Sequence, residues 1–185
     1  MTEPSCLAIF CSSTLGDEPA FADAARAIVR GCAARNASIV YGGAKVGLMG
    51  VVGDEALASG VHVTGVITHG LVAREVAHGS LDRSHVVDTM HERKTRMAEI
   101  ATAFVALPGA IGTMEEIFEQ WTWRWLGIHD KPIAFLDTDG YWSPMLDALA
   151  GMERRGIVRA AHRAIPIVER DPEALLDRIV GLRSE

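Results

Sequence analysis

Apolar positions along this chain fall into two kinds of segment, and the two kinds alternate. Residues 7–11, 38–41, 61–67, 85–87, 102–107, 132–136 and 165–168 are short, mostly apolar runs and read as strands. Between them, apolar residues recur at steps of three and four. Residues 20–34 put Phe21, Ala24, Ala25, Ile28, Val29 and Cys32 on one side. After Leu107, a second such stretch aligns Met114, Ile117, Phe118, Trp121 and Trp125. Further helices are predicted from the turn at 42–50 to about Ser59, over 90–100, over 141–155, and from Pro172, which the first turn of a helix tolerates, to near Gly181. Residues 68–82 are the one irregular part, read as a loop with one short helix, and residues 182–185 are expected to fray.

Most of the strands are apolar without interruption, so both of their faces must be covered. This implies an α/β fold: a parallel sheet with helices on both faces, doubly wound. The length of 185 residues suits a single domain spanning 1–185. Ligands of such sheets bind beyond the carboxyl ends of the strands, at a topological switch. Three turns rich in small residues sit at predicted strand ends. They follow Cys11 (Ser12, Ser13, Thr14, Gly16), Tyr41 (Gly42, Gly43, Met49 and Gly50 among them) and Leu107.

The third turn carries the most chemistry. Pro108, Gly109, Ala110, Gly112 and Thr113 run into a helix that opens with Glu115 and Glu116. Amides freed at a helix N-terminus point outward together and favour an anion, so the turn offers a phosphate cradle beside two carboxylates. Arg93 and Lys94 lie near the start of the preceding helix, where cations oppose the helix dipole. Either they belong to a solvated face or an acid or anion compensates them. The turn at 42–50 is neither GxGxxG nor Walker A, and the seven histidines show no metal spacing. Cys11 reads as a small buried hydrophobe before it reads as a nucleophile. Trp123 cannot share a face with Trp121 and Trp125; it is predicted to point away from the core, as a subunit contact.

A net charge of -6 disfavours long nucleic acid as a partner, while leaving room for a small phosphorylated ligand. Three unpaired-looking cysteines fit a reducing, cytoplasmic setting. No basic and apolar leader opens the chain, and no stretch has the length of a membrane span.

Four blocks in order, residues 10–16, 41–50, 90–94 and 107–116, together resemble the Lonely Guy family, the cytokinin riboside 5'-monophosphate phosphoribohydrolases, whose members are often labelled lysine decarboxylases. Residues 123–132 and 139–141 fit as well. The resemblance implies a Rossmann-like homodimer with shared active sites, needing no cofactor. It would hydrolyse the N-glycosidic bond of N6-modified adenosine 5'-monophosphates. By position in the motifs, Arg93 and Glu116 match the catalytic pair. Glu75, Lys94, Gly109, Ala110, Gly112, Thr113, Glu115 and Thr122 match substrate-binding positions. Ser12, Ser13, Gly42, Gly43 and Met49 remain candidates for the phosphate or the backbone turns. Which of Glu115 and Glu116 binds ribose stays open. The alternative on the same fold is a non-catalytic carrier of a nucleotide or a molybdenum cofactor. Pyridoxal chemistry is disfavoured, because none of Lys45, Lys94 and Lys131 stands in a recognisable cofactor context.

The chain departs from the family pattern at Ser12, Ala44 and Ala110, each where many members have glycine. Ala110 matters most. A methyl group at a position of positive φ costs about 1 kcal/mol, whereas at negative φ it is harmless.

Overall fold

All five residues of β1 (Cys6–Phe10) are buried, and successive side chains enter opposite cores. Leu7 and Ile9, continued by Cys11, join one apolar cluster, while Cys6, Ala8 and Phe10 join the other. β5 (Ala103–Ala106) and β6 (Ile133–Leu136) divide in the same way. In the computed structural model, which describes residues 5–74 and 76–180, these strands form the middle of one seven-stranded sheet. The others are β2 (Ser38–Tyr41), β3 (Val63–Thr68), β4 (Arg83–Val87) and β7 (Ile167–Glu169), in the order β4-β3-β2-β1-β5-β6-β7. Every pairing is parallel, with Leu7 opposite Ile39 on one side and Ala103 on the other. The winding reverses at β1, so the crevice beyond the carboxyl ends of β1 and β5 is the switch point of the fold.

Helices α1 (Pro19–Ala34), α2 (Gly47–Ala58) and α8 (Pro172–Ile179) cover one face. The other face is covered by α4 (Met90–Ile100), α5 (Ile111–Trp125) and α6 (Ser143–Arg154). The expected helices and strands are all present, with ends shifted by one or two residues. The irregular stretch does hold one short helix, α3 (His69–Val72). It is also tied down: Lys45 N donates to Val76 O at 2.8 Å and His78 N to Gly43 O at 2.8 Å. Helix α7 (Ala160–Arg163) has no counterpart in the sequence reading, since a single turn is too short to show a period. The fraying expected of residues 182–185 lies outside the described residues, as does Gly181. Among the described residues no helix is long and apolar enough to cross a membrane.

The tryptophans correct the sequence reading. Trp121 is buried, as its stripe requires. Trp123, expected to point away, is half-buried and packs against the core. Trp125, assigned to the stripe, is 52% exposed. It is the last residue of α5, and its ring lies 4.0 Å from that of His162 on α7.

Candidate active site

The turn from β5 into α5 is fastened to the exit of β1. Leu107 N donates to Phe10 O at 3.0 Å, and Ser12 N to Pro108 O at 3.1 Å. Gly109 is required sterically, because a Cβ there would stand 2.1 Å from Thr113 Oγ1. The Tyr141 hydroxyl donates to the Gly109 carbonyl at 2.8 Å and steadies the turn from the far side. Ala110 caps α5 with φ -95° and ψ -153°, an extended conformation that any residue adopts, so its methyl group causes no backbone strain. The amides of Ile111, Gly112 and Thr113 form the first turn of α5, where no preceding helical carbonyl can accept from them, and they stand at the positive end of its dipole.

Helix α4 supplies the cations. Thr89 and Glu92 form a reciprocal capping box at its start: Thr89 Oγ1 accepts from Glu92 N at 3.1 Å, and the Glu92 carboxylate accepts from Thr89 N. One turn on, Arg93 and Lys94 are each only 7% exposed. Their compensating acids are on α5. Arg93 Nη1 lies 3.0 Å from Glu116 Oε1, while Nε donates to Val66 O at 3.0 Å. Lys94 Nζ donates to Glu115, and to Glu119 Oε1 at 3.0 Å. The solvated-face reading therefore fails for these two residues and holds for Arg96, which is exposed.

Burial sets the electrostatics. It pushes the Glu116 carboxyl above its ordinary value, with Glu115 adding to the effect and Arg93 and Lys94 opposing it. For Lys94, burial lowers the ammonium, but the bonds to Glu115 and Glu119 outweigh it and the net shift is upward. Burial, and after it the Glu116 charge, push the Cys11 thiol far up, so Cys11 stays a protonated wall residue rather than a nucleophile.

A cavity of about 150 Å³ lies over this pair. It is lined by Ser12 and Ser13 from the β1 exit, Met49 from α2, Arg93 from α4, and Ala110, Gly112, Thr113 and Glu116 from α5, with Cys11 in its wall. The three small-residue turns do converge, in different ways. Gly42 stands behind the site rather than in it: a Cβ there would lie 2.2 Å from Arg93 Nη2. Gly43, with φ +70°, packs against Gly65. Gly109 holds the turn from behind. Glu115 and Lys94 are engaged with each other outside the cavity lining. Thr122 is exposed and donates to Phe118 O, two turns along α5 from the cavity, so one chain alone does not bring it there. Glu75 lies outside the described residues. Cys11 and Tyr141 were not singled out as site residues from sequence. Each carried a signal in the sequence: Cys11 its place at the exit of β1, and Tyr141 its place in the block 139–141 that fits the family.

Comparisons with known proteins give the family. The family described as "Possible lysine decarboxylase" matches residues 49–179. The cytokinin riboside 5'-monophosphate phosphoribohydrolase of Rhodococcoides fascians is 40% identical over 177 residues, 95% of this chain and 89% of its own. Its counterpart LOG1 of Arabidopsis thaliana is 35% identical over 173 residues, 94% of this chain and 81% of its own. Among solved structures, the molybdenum cofactor binding protein of Rippkaea orientalis superposes with a TM-score of 0.70 over 96% of both chains. At 13% identity, that likeness establishes a shared fold alone. With relatives this similar over nearly its whole length, the chain belongs to the Lonely Guy family of cytokinin riboside 5'-monophosphate phosphoribohydrolases.

Proposed function

We propose that this protein hydrolyses the N-glycosidic bond of N6-modified adenosine 5'-monophosphates, releasing the free base and ribose 5-phosphate. The observation that carries the proposal is the buried Arg93–Glu116 pair at the mouth of a helix N-terminus, in a chain of this family. In this reading the 5'-phosphate sits on the amides of Ile111, Gly112 and Thr113, with the hydroxyls of Thr113, Ser12 and Ser13 around it. As the bond from the anomeric carbon to the base nitrogen breaks, positive charge builds on the ribose, as in glycoside hydrolysis. The Glu116 carboxylate faces that charge and takes a proton from the attacking water. The water oxygen bonds to the anomeric carbon, the bonding pair leaves with the base, the base takes up a proton from solvent, and Glu116 returns its proton to solvent, so one water is consumed overall. Arg93 favours the ionised form of Glu116 against the effect of burial and offers donors toward the departing base. General acid–base assistance of this kind contributes about 10²–10⁴-fold.

Three features support a homodimer with shared sites. A cavity of about 150 Å³ is half the lower end of the usual ligand range of roughly 300–1,000 Å³, so one chain encloses only part of a nucleotide. At its edge Ile111 is 80% exposed, the kind of uncovered apolar residue a partner buries. Thr122, which the family pattern assigns to substrate, is out of reach of the cavity in its own chain. The free, buried cysteines support a reducing, cytoplasmic setting.

Lysine chemistry finds no support in the side chains. Lys94 is held by two carboxylates, and Lys131, which donates to Ala98 O at 2.6 Å, precedes β6 at the opposite end of the sheet from the cavity. The departure from the family pattern at Ala110, which would favour a non-catalytic carrier if it distorted the turn, causes no strain at its negative φ. The test is incubation with a panel of nucleoside monophosphates, AMP and N6-isopentenyl-AMP included, with chromatographic detection of free base. Turnover by the parent protein and its loss in Glu116→Gln, by about 10²-fold or more, is the expected outcome. Tight nucleotide binding without base release would favour the carrier, and full turnover by Glu116→Gln would remove Glu116 from the mechanism.

A further inference from the structure

Two adjacent glutamates open α5, and both find a cation on α4, in matching order: Arg93 with Glu116, and Lys94 with Glu115. Lys94 makes a second bond, to Glu119 Oε1 at 3.0 Å. Glu115 and Glu119 are one helical turn apart and share a face of α5. One ammonium gripping both is therefore a two-point hold against rotation of α5 about its axis. Consecutive helical residues are about 100° apart around that axis, so a turn of this size would exchange Glu115 and Glu116 at the crevice. Glu116, on the neighbouring face, lines the cavity, whereas Glu115 and Lys94 do not.

We propose that Lys94 is a positioning residue: by holding Glu115 and Glu119 on one face of α5, it presents Glu116, and not its neighbour, to the sugar beside Arg93. The consequence for turnover rests on the glycosidic-bond reading. The consequence for Glu116 itself is a property of the folded chain. The charged and titratable groups facing Glu116 are Arg93 and Lys94 from α4, Glu115 from its own helix and the Cys11 thiol at the end of β1. Of these, Lys94 draws the Glu116 carboxyl down and Glu115 pushes it up. Removing one or the other shifts it in opposite directions through charge alone, so the titration reports their nearness to Glu116 and the split between kcat and KM reports the hold.

The experiment follows the Glu116 side-chain carboxyl by ¹³C NMR titration, its resonance assigned by difference with Glu116→Gln, alongside steady-state kinetics on the nucleoside monophosphate panel. Lys94→Met is expected to move the Glu116 titration to higher pH and to lower kcat about tenfold or more, with KM changed less than about threefold. Lys94→Arg restores most of both. Glu115→Gln moves the titration to lower pH. Should Lys94→Met fail to fold, the double variant Glu115→Gln/Glu119→Gln removes the grip while keeping the lysine and is expected to lower kcat likewise. A rise in KM with kcat kept and the titration unmoved would make Lys94 a substrate contact and overturn the inference. Shifted titrations with unaltered turnover would overturn it too, reducing Lys94 to a background charge. If the parent protein releases no base, the proposed function falls by itself, and the hold is then read from the Glu116 resonance: one that stays single and unbroadened in Lys94→Met would overturn it, and one that splits or broadens would support it.

Discussion

Gly42→Ala tests the site through a residue that does not line it. The new Cβ would lie 2.2 Å from Arg93 Nη2, where ordinary contact begins near 3.4 Å. The guanidinium must therefore retreat by roughly 1.2 Å, the difference between those distances. Arg93 Nη1 now sits 3.0 Å from Glu116 Oε1, and Nε is held by Val66 O, so the side chain cannot retreat without straining one of the two bonds. A misplacement of about 1 Å at a catalytic group costs on the order of 10²-fold in rate. Gly42 has no positive φ, so alanine adds no backbone strain, and the nearest atoms belong to side chains. Both charges also remain in place. The stability loss should stay below the roughly 3–5 kcal/mol of deleting one partner of a buried pair outright. Base release from nucleoside monophosphates and thermal melting, measured on the same preparation, separate the two effects. A folded Gly42→Ala protein with kcat/KM within about threefold of the parent would refute the claim that Arg93 geometry limits the reaction.

Three further expectations concern the same region. In the proposed mechanism Glu116 acts in its ionised form, and burial raises its carboxyl above the ordinary 4.5. Activity should therefore be lost on acidification at a pH above 4.5; a profile of kcat flat through that region would contradict the role of Glu116. Thr89→Ala removes half of the capping box that starts α4 and should cost about 1 kcal/mol, read by denaturant titration. Ala110→Gly should leave stability within about 0.5 kcal/mol, because the entropy that glycine adds to the unfolded chain offsets its advantage over alanine as a helix cap. A change well beyond that in thermal melting would contradict the unstrained reading of the turn.

Much of the fold was legible in the sequence because burial leaves a local imprint. A strand covered on both faces is apolar throughout, and a helix on a sheet repeats its apolar residues at steps of three and four, so strands, helices and their alternation could be read residue by residue. The three turns at strand ends followed from that order, since parallel strands bring all such ends to one side. Polar azimuth leaves no such imprint. Glu115 and Glu116 are neighbours of the same type, and only the packing of α4 against α5 decides that Glu116 faces the cavity while Glu115 turns to Lys94. The harmlessness of Ala110 hung on one backbone angle, set by the weld between the β5 turn and the exit of β1. Trp125 kept its place in the apolar period yet is exposed, as are Leu126 and Ile128 just beyond the end of the helix. Sequence by itself determined the layers, the sheet and the side of it on which chemistry gathers. Only the tertiary structure decided which carboxylate lines the cavity and which cation stands beside each, because those choices depend on how two helices separated by a strand rotate against each other.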